Sequence, residues 1–301
     1  MHDVIIIGGG AAGLTSALYT SRGNLKTLIL EKELYGGQMN NTDLVENFTG
    51  VGSMSGEDLS DAMYADALSF GAEYKIAEVV DIVDYGKLNK IVKDSDGNIY
   101  KTKSIIIATG ATHKKLGVKG ELELENRGIS YCAICDGAFY RDKEIVVVGG
   151  GDSAIEEAIF LTRYAKKVTV VHRRDKLTAQ KIIQDRAFSN PKIDFKWNTV
   201  VTGILGEKTV EGISVEIEGV KSVMRTEGVF VYIGLSVQTE PFANILKLDE
   251  NKAINTQLGA TSVKGIFAAG DVRDTLLRQI STAVGDGALA GQLVCNYIEN
   301  N

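Results

Sequence analysis

At 301 residues, 44% apolar and 24% charged, the chain is long enough for about two globular domains with a sizeable core. Its net charge of -6 argues against nucleic acid as a partner, which would need a basic face, and no apolar run approaches the ~18 residues of a membrane span. The start, Met1-His2-Asp3, leads directly into Val4-Ile5-Ile6-Ile7 without a basic leader or cleavage site, so a cytoplasmic chain is expected.

Val4 to Ile7 is a short β-branched strand followed at once by Gly8-Gly9-Gly10-Ala11-Ala12-Gly13 and then by a helical pattern through Leu14, Ala17 and Leu18. Strand, glycine turn and helix in that order let backbone amides approach a pyrophosphate at a helix N-terminus. A second strand, Leu28-Ile29-Leu30, ends in Glu31, 18 residues after Gly13, where a ribose hydroxyl would need an acceptor.

Turn-rich segments follow, Gly36-Gly37-Gln38 and Asn47-Phe48-Thr49-Gly50, which read as surface loops on their own. Helical spacing resumes from Leu59 to Phe70, and Asp96-Gly97 marks a hairpin between Lys90 to Lys93 and Ile99 to Lys101. Ser104 to Ala108 reads as a further strand, closed by Thr109-Gly110. The polar stretch from Ala111 to Arg127 reads in part as linker.

Cys132-Ala133-Ile134-Cys135-Asp136 comes next. Two cysteines at this spacing can close a small disulfide or form half of a zinc site. One further Cys and three scattered His leave no second ligand pair for zinc, so no metal is expected. In a reducing compartment such a pair is more often catalytic than structural. The thiolate is the species that attacks disulfides, and Asp136 is placed to be a proton partner. Cys295, in an apolar stretch, reads as core.

The opening pattern then repeats: strand Ile145 to Val148, turn Gly149-Gly150-Gly151-Asp152-Ser153-Ala154, helix Ile155 to Tyr164. Where the first unit ends its second strand in Glu31, this one follows Val168 to Val171 with His172-Arg173-Arg174, again 18 residues after the last fingerprint position. Guanidinium groups there clamp a 2′-phosphate that an acid would repel, which selects NADPH. Further strands, Val215 to Ile217 and Gly228 to Ile233, complete this unit. The chain then returns to the first fold. Ile266 to Ala269 is a strand leading to Gly270-Asp271, and the helix from Thr282 to Tyr297 carries small residues, Ala288, Ala290 and Gly291, able to pack on a ligand or on a helix. With a nicotinamide in the second fold, the first needs a carrier that passes two electrons to sulfur, and a flavin dinucleotide meets that need.

These residues resemble the low-molecular-weight thioredoxin reductases, class-II pyridine nucleotide-disulfide oxidoreductases, along essentially the whole chain. The motifs that carry the likeness are Gly8 to Gly13, Gly36-Gly37-Gln38, Val45-Glu46-Asn47-Phe48, Ala108-Thr109-Gly110, Cys132 to Asp136, the second fingerprint with Glu156-Glu157, His172-Arg173-Arg174, Gly270-Asp271-Val272 and Arg278-Gln279. The resemblance implies an α/β chain of two Rossmann-like, three-layer dinucleotide-binding domains, the second inserted into the first. Residues 1–113 and 245–301 would bind FAD, and residues 114–244 would bind NADPH and carry the disulfide. FAD would be held through Gly8, Gly10, Ala11, Ala12, Gly13, Glu31, Gly37, Gln38, Asn47, Ala108, Thr109, Gly110, Gly270, Asp271, Arg278, Gln279 and Ile280. NADPH would be held through Gly149, Gly151, Asp152, Ser153, Ala154, His172, Arg173 and Arg174. Cys135 would face the flavin, Cys132 would attack oxidised thioredoxin, and Asp136 would serve as acid and base in a homodimer whose domains swivel. No His follows His172, so the C-terminal His of the larger disulfide reductases has no counterpart. The alternative is a reductase of the same fold fed by another donor such as ferredoxin. The retained Gly149, Gly151, Arg173 and Arg174 argue against it. Two positions depart from the family pattern: Thr178 stands where a third Arg is usual, and Ala138-Phe139 where two Phe often follow Asp-Gly.

Overall fold

The computed structural model describes residues 1–42 and 44–301. β1 (His2–Ile7) carries Val4, Ile5 and Ile6 with no exposed surface, because a strand between two parallel neighbours is covered on both faces. α1 (Ala11–Arg22), β2 (Thr27–Glu31), α2 (Gly56–Ser69), β3 (Glu73–Ile76), β4 (Val79–Asp84), β5 (Lys90–Asp94) and β6 (Ile99–Ile107) follow. Ser55 starts α2 by accepting the amide of Asp58 at 3.0 Å, with Glu57 and Asp58 in the first turn. The sheet runs β3-β2-β1-β6-β5-β4.

β6 corrects one expectation from the sequence. The hairpin arm and the strand beginning at Ser104 are a single nine-residue strand. Its first half pairs antiparallel with β5, and its second half, from Ser104, runs parallel to β1 up to Ile107. Thr102 takes part in both ladders, opposite Lys90 and His2. Alternation of burial holds only where one face meets water, so the strand reads as two different patterns.

β7 (Ala111–His113) leaves this unit, and β8 (Ile129–Ser130), α3 (Ala133–Asp136), β9 (Glu144–Gly149), α4 (Asp152–Leu161), β10 (Lys167–Val171), α5 (Lys181–Phe188) and β11 (Ile193–Lys196) come next. β12 (Thr199–Leu205), β13 (Gly212–Ile217) and β14 (Val220–Arg225) form an antiparallel three-stranded sheet. β15 (Val229–Tyr232) joins the parallel sheet β11-β10-β9-β15-β8. After β16 (Leu235–Val237), β17 (Ile266–Ala268) adds to β6 in the first sheet, and α6 (Ile280–Glu299) ends the chain.

Two compact units result, residues 1–112 with 237–301, and residues 113–236. Residues 237–244, assigned from sequence to the middle segment, lie in the first unit. Phe242 is fully buried there, in one cluster with Ile5 and Ile105. Nor is the stretch before the cysteines simply a linker. The buried carboxylate of Glu121 accepts the amides of Leu116 and Gly117 at 2.7 and 2.6 Å and the Tyr131 hydroxyl at 2.8 Å, which folds the segment back on itself.

The small residues of α6 serve helix packing. A Cβ on Gly287 would meet the Ala12 carbonyl at 2.3 Å, and one on Gly291 would meet Tyr19 Cβ at 2.7 Å. Ser16 Oγ bonds the Gly287 carbonyl at 3.1 Å across the same contact. Among the described residues, no helix is long and apolar enough to cross a membrane.

Candidate active site

In the first unit the glycines divide by what they meet. A Cβ on Gly8 (φ +110°) would lie 2.2 Å from the Ala108 carbonyl, and one on Gly13 would lie 1.9 Å from the Gly8 carbonyl, so the fold itself excludes side chains there. Among the described residues, a Cβ at Gly10 would find only the Gly36 carbonyl, at 3.9 Å. That position is open, and a side chain would fill a cradle at the N-terminus of α1. Gly10 caps this helix without a side-chain hydrogen bond, which leaves the first amides to a phosphate. Glu31 stands beside the turn: Oε2 accepts the Gly9 amide at 2.6 Å and Oε1 accepts the Glu33 amide at 3.1 Å.

Residues far apart in sequence converge on the rest of this unit. Gly36 donates its amide to the Gly9 carbonyl at 2.8 Å and sets the turn holding Gly37 and Gln38. Asn47 Nδ2 bonds Gln279 Oε1 at 3.0 Å, and Gln279 caps α6 with Thr282, ahead of Ile280. Thr109 Oγ1 donates to the Gln238 carbonyl at 2.7 Å, next to Gly110 (φ +65°). Gly270 (φ +76°) gives its amide to Asp286 Oδ2 at 3.1 Å, and Asp286 Oδ1 accepts Arg273 Nη1 at 2.7 Å. Burial raises the Asp271 carboxyl above its ordinary range; Arg278 opposes that and Asp286 adds to it. Asp286 and Arg273 were not singled out from the sequence, because their place in the site depends on α6 lying against the Gly270 turn.

The second unit repeats the division. A Cβ on Gly149 would meet the Tyr232 carbonyl at 2.3 Å, and one on Gly150 would meet the His172 ring at 2.4 Å. Gly151, cap of α4, would meet nothing closer than Thr178 Oγ1 at 3.8 Å. The cradle again lies at the glycine that the fold does not require. Asp152 braces the turn by accepting the Gln180 amide at 2.6 Å and Gln180 Nε2 at 2.9 Å, while Ser153 and Ala154 begin the helix. Arg173 and Arg174 are exposed at the end of β10. His172 is 8% exposed, packed on Gly150, and burial lowers its pKa. The ring therefore supports the turn, and Arg173 and Arg174 are the cations left exposed at this end of β10. Both cradles fit a dinucleotide: Glu31 suits a free ribose hydroxyl, and the Arg pair suits a 2′-phosphate.

Cys132 and Cys135 form a disulfide in this same unit. Cys135 is exposed and Cys132 half-buried. The turn is tightly bonded: Ser130 Oγ accepts the Cys132 amide at 3.0 Å, Tyr232 Oη accepts the Ala133 amide at 2.9 Å, and the Cys135 amide donates to Cys132 Sγ at 3.1 Å. Asp136 is half-buried and borders a groove of about 390 Å³ with Arg127, Phe139, Tyr140 and Lys143. Phe139 is 73% exposed beside it. Burial, with Asp136 adding, pushes the Tyr140 phenol up to about 12.

Two dinucleotide cradles on one chain, one of them sharing its unit with a disulfide, define a dinucleotide-dependent disulfide oxidoreductase. Comparison with known proteins agrees. The Pyridine nucleotide-disulphide oxidoreductase family matches residues 2–287. The chain is 53% identical to a thioredoxin reductase of Listeria monocytogenes, covering 99% of this chain and 94% of that one. It is 52% identical to a thioredoxin reductase of Bacillus subtilis, covering 99% and 95%. Among solved structures, the Lactococcus lactis thioredoxin reductase superposes with a TM-score of 0.98 at 46% identity over 100% of both chains. The chain belongs to the pyridine nucleotide-disulphide oxidoreductase family and, within it, to the low-molecular-weight thioredoxin reductases.

Proposed function

We propose that this chain is an NADPH-dependent thioredoxin-disulfide reductase of the cytoplasm, working as a homodimer. Electrons pass from NADPH through FAD and the Cys132–Cys135 disulfide to oxidised thioredoxin. The observation that carries this reading is the disulfide turn built into the unit that also holds the Gly149–Ala154 cradle and the Arg173-Arg174 pair. When bound, the nicotinamide supplies a hydride and the flavin relays its two electrons to sulfur.

This chain's own residues bind, orient and move protons. Gly8, Gly10, Ala11, Ala12 and Gly13 receive the FAD pyrophosphate at α1, and Glu31 takes the ribose hydroxyl. Gly37, Gln38, Asn47, Ala108, Thr109 and Gly110 line the remainder with Gly270, Asp271, Arg278, Gln279 and Ile280. Gly149, Gly151, Asp152, Ser153 and Ala154 receive the NADPH pyrophosphate, and Arg173 and Arg174 its 2′-phosphate, with His172 beneath the turn. On the family resemblance, Cys135 would be the sulfur that exchanges electrons with the flavin. Cys132, as thiolate, attacks one sulfur of the thioredoxin disulfide, and Asp136 exchanges the proton that the sulfurs gain or lose. Phe139 offers an exposed apolar contact for a protein substrate, at a groove whose lining also includes Arg127, Asp136, Lys143 and Glu227.

Steady-state reduction of thioredoxin by the holoenzyme tests the proposal. Turnover with NADPH should exceed that with NADH at equal concentration. Turnover with reduced ferredoxin and none with NADPH would favour the other donor class.

A further inference from the structure

Tyr232 ends β15 opposite Gly149, and its carbonyl lies 2.3 Å from where a Cβ on Gly149 would stand, so the close contact fixes its backbone. Its side chain is 7% exposed, and the ring of His113 meets it edge-on, with centroids 5.4 Å apart. The phenol oxygen accepts the amide of Ala133, a residue with no exposed surface, at 2.9 Å. On the other side of Cys132, Ser130 Oγ accepts the Cys132 amide and donates to the Cys132 carbonyl at 3.1 Å. With Cys132 held between these two points, the Cys135 amide, one turn further on, is aimed at Cys132 Sγ. An N–H directed at sulfur contributes little to a disulfide and much more to a thiolate, which is a charged acceptor. The arrangement therefore acts after reduction.

We propose that Tyr232 is a positioning residue for the nucleophile: by holding the Ala133 amide it keeps the turn in the shape that aims the Cys135 amide at Cys132 and so favours the Cys132 thiolate. The proposal rests on the reading of Cys132 as the attacking sulfur. In that attack a bond forms between Cys132 and one substrate sulfur, the substrate disulfide breaks, and the departing sulfur leaves with the electron pair and then takes a proton. Phenylalanine would fill the same space but strand a buried N–H, whose cost is relieved only if the turn moves. Burial, with the Glu157 and Asp136 carboxylates adding, keeps the Tyr232 phenol protonated throughout the working range, so its role does not switch with pH. Among the described residues, the other titratable and charged groups around the turn are Asp136 within it, Tyr140 after it, Glu157 on α4, His113 on β7, whose pKa burial lowers, and Arg127, Lys143 and Glu227, which line the groove with Asp136.

The test is the pH profile of Cys132 alkylation by iodoacetamide, followed by peptide mass spectrometry in the holoenzyme carrying Cys135→Ser, which retains the residue 135 amide. Adding Tyr232→Phe should lower the rate at pH 7 about three- to tenfold and move the profile alkaline while the high-pH plateau stays unchanged. Superimposable profiles, or a fall that includes the plateau, would overturn the proposal. If Tyr232→Phe does not fold, Ser130→Ala, which loosens the other clamp, should give the same alkaline displacement, and its absence would be equally contrary. Failure of Cys135→Ser alone to form a mixed disulfide with a single-cysteine thioredoxin activated as an aryl mixed disulfide would instead count against Cys132 as the attacking sulfur, which separates the two claims.

Discussion

The imidazole of His172 occupies the space beside the α-carbon of Gly150, where an added methyl group would stand 2.4 Å from the ring. Its Nε2 is buried without a hydrogen-bond partner among the described residues. Burial sets the direction of its pKa, downward, helped by the Arg174 and Arg173 charges and opposed by backbone bonds at Lys176 and Gly149. The unfolded chain thus binds this proton more readily than the folded one, and folding stability is lost as pH falls below about 6.5. His172→Gln should remove that part of the acid sensitivity. Melting temperatures from pH 7.5 to 5 should fall less steeply for the variant; equal slopes would show that His172 titrates normally.

Thr178 hydrogen-bonds the Gly150 carbonyl at 3.2 Å, at the mouth of the second cradle. An arginine there would stand near the guanidinium pair and add a third cation for the 2′-phosphate. Thr178→Arg should lower the KM for NADPH by about tenfold, the worth of one charge-assisted bond of ~1 to 2 kcal/mol, and leave that for NADH unchanged. An unaltered NADPH KM would place the new side chain away from the phosphate.

Asp136 can be an acid or merely a polar residue closing the disulfide turn. Asparagine serves the second purpose about as well, so Asp136→Asn discriminates. As the proton partner of the sulfurs, its loss should slow thioredoxin reduction by roughly 10²-fold or more while NADPH still bleaches the flavin. Single-turnover rates equal to the unmutated ones from pH 6 to 9 would assign the proton to water.

The strand, glycine turn and helix of both units were legible because Gly8, Gly13, Gly149 and Ala154 answer to local geometry. Gly10 and Gly151 were legible from the fingerprint alone, because the fold leaves room for a side chain at both. The resemblance carried the scattered positions assigned to the flavin, such as Asn47 and Gln279, which no local pattern joins and which the structure brings into hydrogen-bond contact. Longer-range relations were not visible. Glu121 reads as one more surface acid until its carboxylate is found holding two amides and a phenol. Tyr232 reads as a strand residue until β15 is placed beside the disulfide turn. His172 was grouped with the arginines that follow it, yet the ring turns inward onto Gly150, so its neighbours carry the charge.

Burial holds the Asp271 carboxyl above its ordinary range, so its ionised form costs stability once pH rises past the folded pKa. Asp271→Asn should therefore raise the melting temperature of flavin-depleted protein more at pH 7 than at pH 4.5. The same substitution should weaken flavin retention, read as FAD lost on dialysis. A variant that melts no higher at pH 7 would mean that Arg278 already offsets the charge.

The order of the two sulfurs is tested most directly by trapping. Reduced Cys135→Ser and Cys132→Ser proteins are each mixed with a single-cysteine thioredoxin activated as an aryl mixed disulfide, and the products are resolved by mass spectrometry under non-reducing conditions. A mixed disulfide between the proteins persists only when the attacking sulfur is present and neither protein keeps a resolving thiol. Cys135→Ser should accumulate a 1:1 adduct through Cys132, and Cys132→Ser should give none. An adduct with Cys132→Ser alone would exchange the two roles, and an adduct with neither would contradict electron delivery to thioredoxin through this disulfide.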